Sequence, residues 1–224
     1  MERLFQPLRA SSGFAVNDYL SGAAVLCDNN GNHEADPGEM VAVTDSGGFF
    51  KFDALCSANL VATGGTNATT KQLFGGRMKA PTGSTMITAL STLLAEGLPM
   101  ERINTVLGLP DTTDVRSMDP ARRNAGVYEH PELFRKTLAV QLLIQKTAES
   151  VQASGYSGVA LPRVYGEVAA ALALALRDGD ALVQQGQVAP GSLASVLERT
   201  LVRTTAALGS GDANALSLAQ VLAP

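Results

Sequence analysis

The chain has 224 residues, 46% of them hydrophobic, and a formal net charge of −4, which gives enough apolar material for one large domain or two small ones and excludes a disordered chain. Lysine and arginine are scattered without a basic run, so nothing marks a nucleic-acid or acidic-membrane partner. Tryptophan is absent and aromatics are 5%, which weakens a carbohydrate platform of stacked rings, and the longest apolar run, residues 168–176, is far short of the ~20 residues a membrane span needs.

Residues 1–13 read as an N-terminal arm with Leu4, Phe5 and Leu8 as its apolar grip. Residues 1–8 lack the charged-then-apolar order of a secretory signal, which fits either a cytosolic chain or a mature or excised piece with an added start methionine. From Phe14 onward short apolar, β-branched runs alternate with Gly, Asn, Asp and Ser, predicting strands at 14–16, 20–27, 40–44, 48–52 and 59–63, with one more within 73–80. Asp45, Ser46, Gly47 and Gly48 form the strongest hairpin signal.

Between two of these strands lies the stretch richest in chemistry. Asp28, Asn30, Asn32, Asp36 and Glu39 occupy positions 1, 3, 5, 9 and 12 of a loop, the spacing of EF-hand calcium ligands, with the Glu34 carbonyl at position 7. A hard dication takes six to eight oxygens at roughly 2.3–2.6 Å, which such a loop supplies by coiling around it. The helpful glycine stands at position 4, Gly31, while position 6 is His33, expected to be a solvated bystander. The flanks read as strands and not as the helices of an EF-hand, and the alternative is an ion-free polar turn. Cys27 and Cys56, 29 positions apart, could form a disulfide pinning two strands of one small sheet, with two buried free thiols as the alternative.

After residue 82 the period becomes helical. Met86, Ile87, Leu90, Leu93 and Leu94 predict a helix capped by Ser84 or Thr85, and residues 99–107 a second, short one. Residues 109–130 read as irregular. Pro131 opens a long helix with Leu133, Leu138, Leu142, Ile144 and Val151 inward and Gln141 mostly wet. An alanine-rich helix follows over 162–183, a third starts at Gly191, and a last one, capped by Asp212, carries Leu216, Leu218, Val221 and Leu222. The expected fold class is α+β: an antiparallel β-sandwich over 14–82, then an α-helical bundle over 83–224.

Residues 18–32, 36–39, 44–49 and 60–66 together resemble the calcium-binding B-type repeats of bacterial surface and matrix proteins, which are transthyretin-like or carboxypeptidase-regulatory-like β-sandwiches found in adhesins. The resemblance covers residues 14 to about 80 and implies calcium at Asp28, Asn30, Asn32, Asp36 and Glu39, with Asp18 and Asp45 as outer ligands. It implies a secreted or cell-surface structural, adhesion or biofilm-matrix role, where calcium and disulfides both persist. A fibre version has the arm adding a strand to a neighbour's sheet edge. The other reading is a glycan- or protein-binding module of a larger secreted protein.

No enzyme is expected. His33 and His130 are the two histidines, the second beside a helix start. Ser157, between Tyr156 and Gly158, lacks the second glycine of a nucleophile elbow and follows a helix. Gly64, Gly65, Gly75 and Gly76 lack the lysine and helix of a phosphate loop.

Overall fold

The computed structural model describes residues 10–179, 182–184, 187–188 and 190–209. In chain order its strands are β1 (Ala10–Ala15), β2 (Leu20–Ser21), β3 (Ala24–Asp28), β4 (Val41–Val43), β5 (Phe49–Cys56), β6 (Asn59–Thr63), β7 (Thr66–Asn67), β8 (Arg77–Ala80) and β9 (Met86–Ile87). Helices α1 (Ala89–Ala95) and α2 (Met100–Leu107) follow, then the hairpin β10 (Arg123–Asn124) and β11 (Val127–Tyr128), α3 (Pro131–Ala153), α4 (Leu161–Asp178), the hairpin β12 (Val183–Gln184) and β13 (Gln187–Val188), and α5 (Pro190–Leu208). The protein is α+β, with strands first and helices after. The arm residues Leu4, Phe5 and Leu8 and the helix expected from Asp212 lie outside the described residues, and β1 begins at Ala10, inside the stretch read as arm.

Two main sheets form the β half, one ordered β4-β3-β6-β8 and the other β5-β1-β9, with β2 and β7 pairing as a short two-stranded ribbon. Alternating side chains place Val25 and Cys27 of β3, Leu60 and Ala62 of β6 and Met78 and Ala80 of β8 in the same core as Phe50, Phe52 and Cys56 of β5. Cys27 and Cys56 form the disulfide, with Cα atoms 5.8 Å apart. The bridge joins β3 to β5 and so ties the two sheets together, instead of pinning two strands of one sheet.

Local chemistry explains where the strands break. Gly22 sits at φ +71, so the strand expected over 20–27 divides into β2 and β3. The Asp45–Gly48 turn closes as foreseen, with Asp45 Oδ1 accepting from Gly47 N at 2.8 Å and Phe49 N at 3.0 Å. It does not make a hairpin within one sheet, because Gly48 gives its carbonyl to Ala15 N at 2.9 Å and β5 leaves for the other sheet. Gly48 has φ +76, and a Cβ there would meet Ala15 O at 2.8 Å, so this crossing needs glycine.

The helical half begins later than expected. Met86 and Ile87 are a strand, parallel to β1, because Phe14 N and Val16 N take the Thr85 and Ile87 carbonyls at 2.9 and 2.8 Å. The cap of α1 is therefore Thr88, in a capping box with Ser91, and not Ser84 or Thr85. Ser91 and Thr92, both fully buried, do a second job. Lys79 N on edge strand β8 donates to Thr92 Oγ1 at 2.8 Å, and Ser91 Oγ donates to Lys79 O at 2.8 Å. Side chains of α1 thus complete the ladder of an edge strand that would otherwise be open. Among the described residues no helix covers the β4 and β5 edges, where Val41, Val43 and Leu55 are exposed.

One hydrophobic cluster continues from the sandwich into the helices, through Leu90 and Leu93 to Ile144, Val168, Leu172 and Leu201. The buried stripe of α3 runs Leu133, Thr137, Val140, Gln141, Ile144, Thr147, Ala148 and Val151. Gln141 is inside and Leu142 is 46% exposed, the reverse of the expectation, because the 3.6-residue period carries the stripe over 141 and the Tyr165 hydroxyl donates to Gln141 Oε1 at 2.7 Å. Helix α4 ends at Asp178, short of the expected 183, and Val183 lies in a hairpin.

Candidate functional site: the 28–39 loop

The loop expected to hold an ion joins β3 to β4, with a strand on each side as its flanks require. Asp28, Asn30 and Asn32 wind its first half in successive side-chain turns. Asp28 Oδ1 accepts from Gly31 N at 2.8 Å, Asn30 Oδ1 from Asn32 N at 2.9 Å, and Asn32 Oδ1 from Glu34 N at 2.8 Å. The Asn30 and Asn32 amides both donate to Asp36 Oδ2, at 2.6 and 2.7 Å, so these three side chains meet at one oxygen. Glu39 closes the loop: its two oxygens accept from Asn29 N at 2.7 Å and Asp36 N at 3.2 Å. Glu34 is exposed.

The donor set is three carboxylates, two amides and a carbonyl, which suits a hard oxygen-seeking dication such as calcium and not a thiolate- or imidazole-preferring metal. In this conformation N–H groups engage those oxygens, and among the described residues no three His, Cys, Asp or Glu side chains gather round one point. Asp28, Asn30, Asn32, Asp36 and Glu39 are nonetheless linked within one hydrogen-bonded loop, in which Asp36 Oδ2 already accepts two N–H groups. In type and sequence order these donors are those a calcium loop uses; in arrangement the loop is a hydrogen-bonded turn.

His33 is not a solvated bystander. It has φ +67, and its Nδ1 lies 2.7 Å from Asp28 Oδ2 while its Nε2 lies 3.1 Å from Lys79 Nζ. Lys79 in turn pairs with Glu96, the C-cap residue of α1. Sequence reasoning missed Lys79 and Glu96 because they are 46 and 63 positions from His33; a lone lysine in an apolar strand, between Met78 and Ala80, was the only signal. Asp45 is used within its own turn, at the far end of β4 from the loop, and Asp18 faces Arg123 at 3.9 Å.

A second concave feature lies where the sandwich meets the helical half. Phe14, Met86 and Met118 give a cleft of about 460 Å³ its apolar wall, and Tyr19, Asp119 and Arg122 its polar one. The Tyr19 hydroxyl donates to Asp119 Oδ2 at 2.8 Å, and Arg122 pairs with Glu129 at 3.1 Å. Burial and the Asp119 carboxylate push the Tyr19 phenol above its ordinary pKa. Asp18 and Tyr19 both hold positive φ, +53 and +58, a conformation that L residues with bulky side chains rarely take.

Fold and loop together define a class: an α+β protein whose disulfide-bridged two-sheet module carries an oxygen-rich loop and is closed along one side by helices. Within that class, the chain matches no protein-family model, no curated protein and no solved structure.

Proposed function

We propose that the chain is an extracellular bacterial structural or adhesion protein, a surface, matrix or fibre subunit, whose β module is stabilised by calcium in the 28–39 loop. The observation that carries this reading is the placement of that loop. Its first donor, Asp28, directly follows Cys27, whose disulfide joins the two sheets. An ion held by Asp28, Asn30, Asn32, Asp36, Glu39 and the Glu34 carbonyl would lock the loop beside a covalent tie. Calcium would supply positive charge to three carboxylates and add stability by binding the folded loop alone. Disulfides persist outside the cell, which fits the same setting. The β4 and β5 edges, which no described helix covers and where Val41, Val43 and Leu55 are exposed, suit assembly through strand addition.

Thermal unfolding in calcium and in chelator tests the reading. Calcium at about a hundred times its dissociation constant adds about 2.7 kcal/mol, a rise of about 5–10 °C for a chain of this size. Asp36→Asn should abolish most of that rise, and an unchanged wild-type transition would refute the calcium role. A second reading, a glycan-binding module, is favoured by the cleft at Phe14, Tyr19 and Asp119, where an apolar wall faces paired hydrogen-bonding groups. Glycan binding that is lost in Asp119→Ala would support it, and an array without hits would dismiss it.

A further inference from the structure

The helical half carries a groove of its own. Leu107, Val140, Leu143, Leu182, Val183 and Leu193 line an opening of about 480 Å³ where α2, α3, the β12–β13 hairpin and α5 meet. That volume lies within the range of small-molecule sites, about 300–1,000 Å³. The groove shares no residue with the 28–39 loop or with the cleft at Tyr19. Leu107, Val140 and Leu182 belong to the main core, and Leu143 and Leu193 pack partly buried against it, so the lining is held from behind. Gly108 caps α2 at φ +61 and lets the hairpin come close, since a Cβ there would stand 3.2 Å from Val183 Cγ1.

The charged groups of the groove all sit in the first two turns of α3. Glu132 and Arg135 pair with each other at 2.5 Å, both largely exposed. Lys136 is half-buried and has no carboxylate partner among the described residues, so it is the uncompensated charge. A lysine can lay its methylene stem on apolar surface and hold its ammonium at the rim. Leu193 stands in the first turn of α5, the end where the helix dipole is positive. A sugar in this groove would set its hydroxyls against leucine and valine side chains, which give them no hydrogen bonds. A hydrocarbon tail with one acidic head matches both the lining and the lone cation.

We propose that this groove binds a fatty acid, with its chain along Val140, Leu143, Leu182 and Leu193 and its carboxylate at Lys136. The proposal goes beyond the scaffold reading and does not depend on calcium. A fully buried methylene tightens binding by about fourfold, so in an open groove that covers about half of the chain, two added methylenes should do the same. The carboxylate should contribute about three- to fivefold, the upper range for an ion pair near solvent. Ala139 is exposed on α3 and lines the groove, so a large side chain there fills the groove without entering the core.

The experiment is calorimetric titration of the full chain with decanoate, laurate and dodecanol, each below its aggregation concentration. Laurate should bind about fourfold tighter than decanoate. Lys136→Gln should weaken laurate about three- to fivefold and leave dodecanol unchanged, and Ala139→Trp should abolish binding of all three at an unchanged melting temperature. A wild-type chain that binds none of them would overturn the proposal, as would laurate binding that neither variant alters. Light scattering that shows a wild-type dimer split by Ala139→Trp would assign the groove to a second copy instead. Laurate binding gained only in Leu218→Asp would assign it to residues 212–222, and either result would overturn the proposal.

Discussion

Replacing Thr92 by valine removes one oxygen from a fully buried position and changes almost nothing else in volume or branching. Counted by hydrophobicity alone, the substitution should stabilise. The structure gives the opposite sign, because Thr92 Oγ1 accepts the Lys79 N–H at 2.8 Å on a strand edge that no other described strand covers. Without that oxygen a buried backbone donor is left unpaired, at about 1–3 kcal/mol. Lys79 O keeps its bond from Ser91, so about 2 kcal/mol is the expected loss. Thr92→Ser keeps the hydroxyl and loses one methyl, about 1 kcal/mol. With a urea slope near 3 kcal/mol/M, the valine variant should shift the midpoint down by about 0.7 M and the serine variant by about half that. A valine variant as stable as wild type, or a serine variant that is the more damaged, would refute the idea that α1 completes the ladder of β8.

Replacing both cysteines by alanine should lower the unfolding free energy by about 3.5 kcal/mol, the loop-entropy value for a bridge spanning 29 positions; a loss from urea unfolding of less than a third of that would mean the sheets hold together without it. Alkaline stability should report Tyr19. Its folded pKa is raised, so its contribution is complete below the ordinary phenol pKa near 10 and is lost as pH rises beyond it. Tyr165, raised by burial, acts in the same direction, so Tyr19→Phe should reduce the fall in stability above pH 10 without removing it. An unchanged slope in that variant would contradict the assignment.

Patterns of short range were legible without coordinates. Strands at 59–63 and 77–80, the second within the stretch 73–80, and the helix opening at Pro131 followed from alternation, turn residues and the start preference of proline. The strand–loop–strand setting of residues 28–39 followed from oxygen-bearing side chains at fixed spacing between β-branched runs. Local propensity misread residues 86–87. Their apolar spacing continues the stripe of α1, yet the parallel partner offered by Phe14 and Ala15 turns them into a strand. The phase of α3 failed for a related reason. Leu142 outranks Gln141 in hydrophobicity, but only a buried tyrosine 24 positions away gives the glutamine its partner.

By itself the sequence determined what depends on neighbours within a few residues: the fold class, most element positions, the turn at Asp45–Gly48 and the donor order of the loop. Tertiary structure decided which sheet each strand joins, and so that the Cys27–Cys56 bridge crosses between sheets. It also decided that α1 closes the edge of β8, and that His33 meets a lysine and, behind it, a glutamate remote in sequence. The physical reason is the same in each case. A buried N–H, carboxylate or ammonium must find its complement in space, and chain order does not say which distant group will stand there.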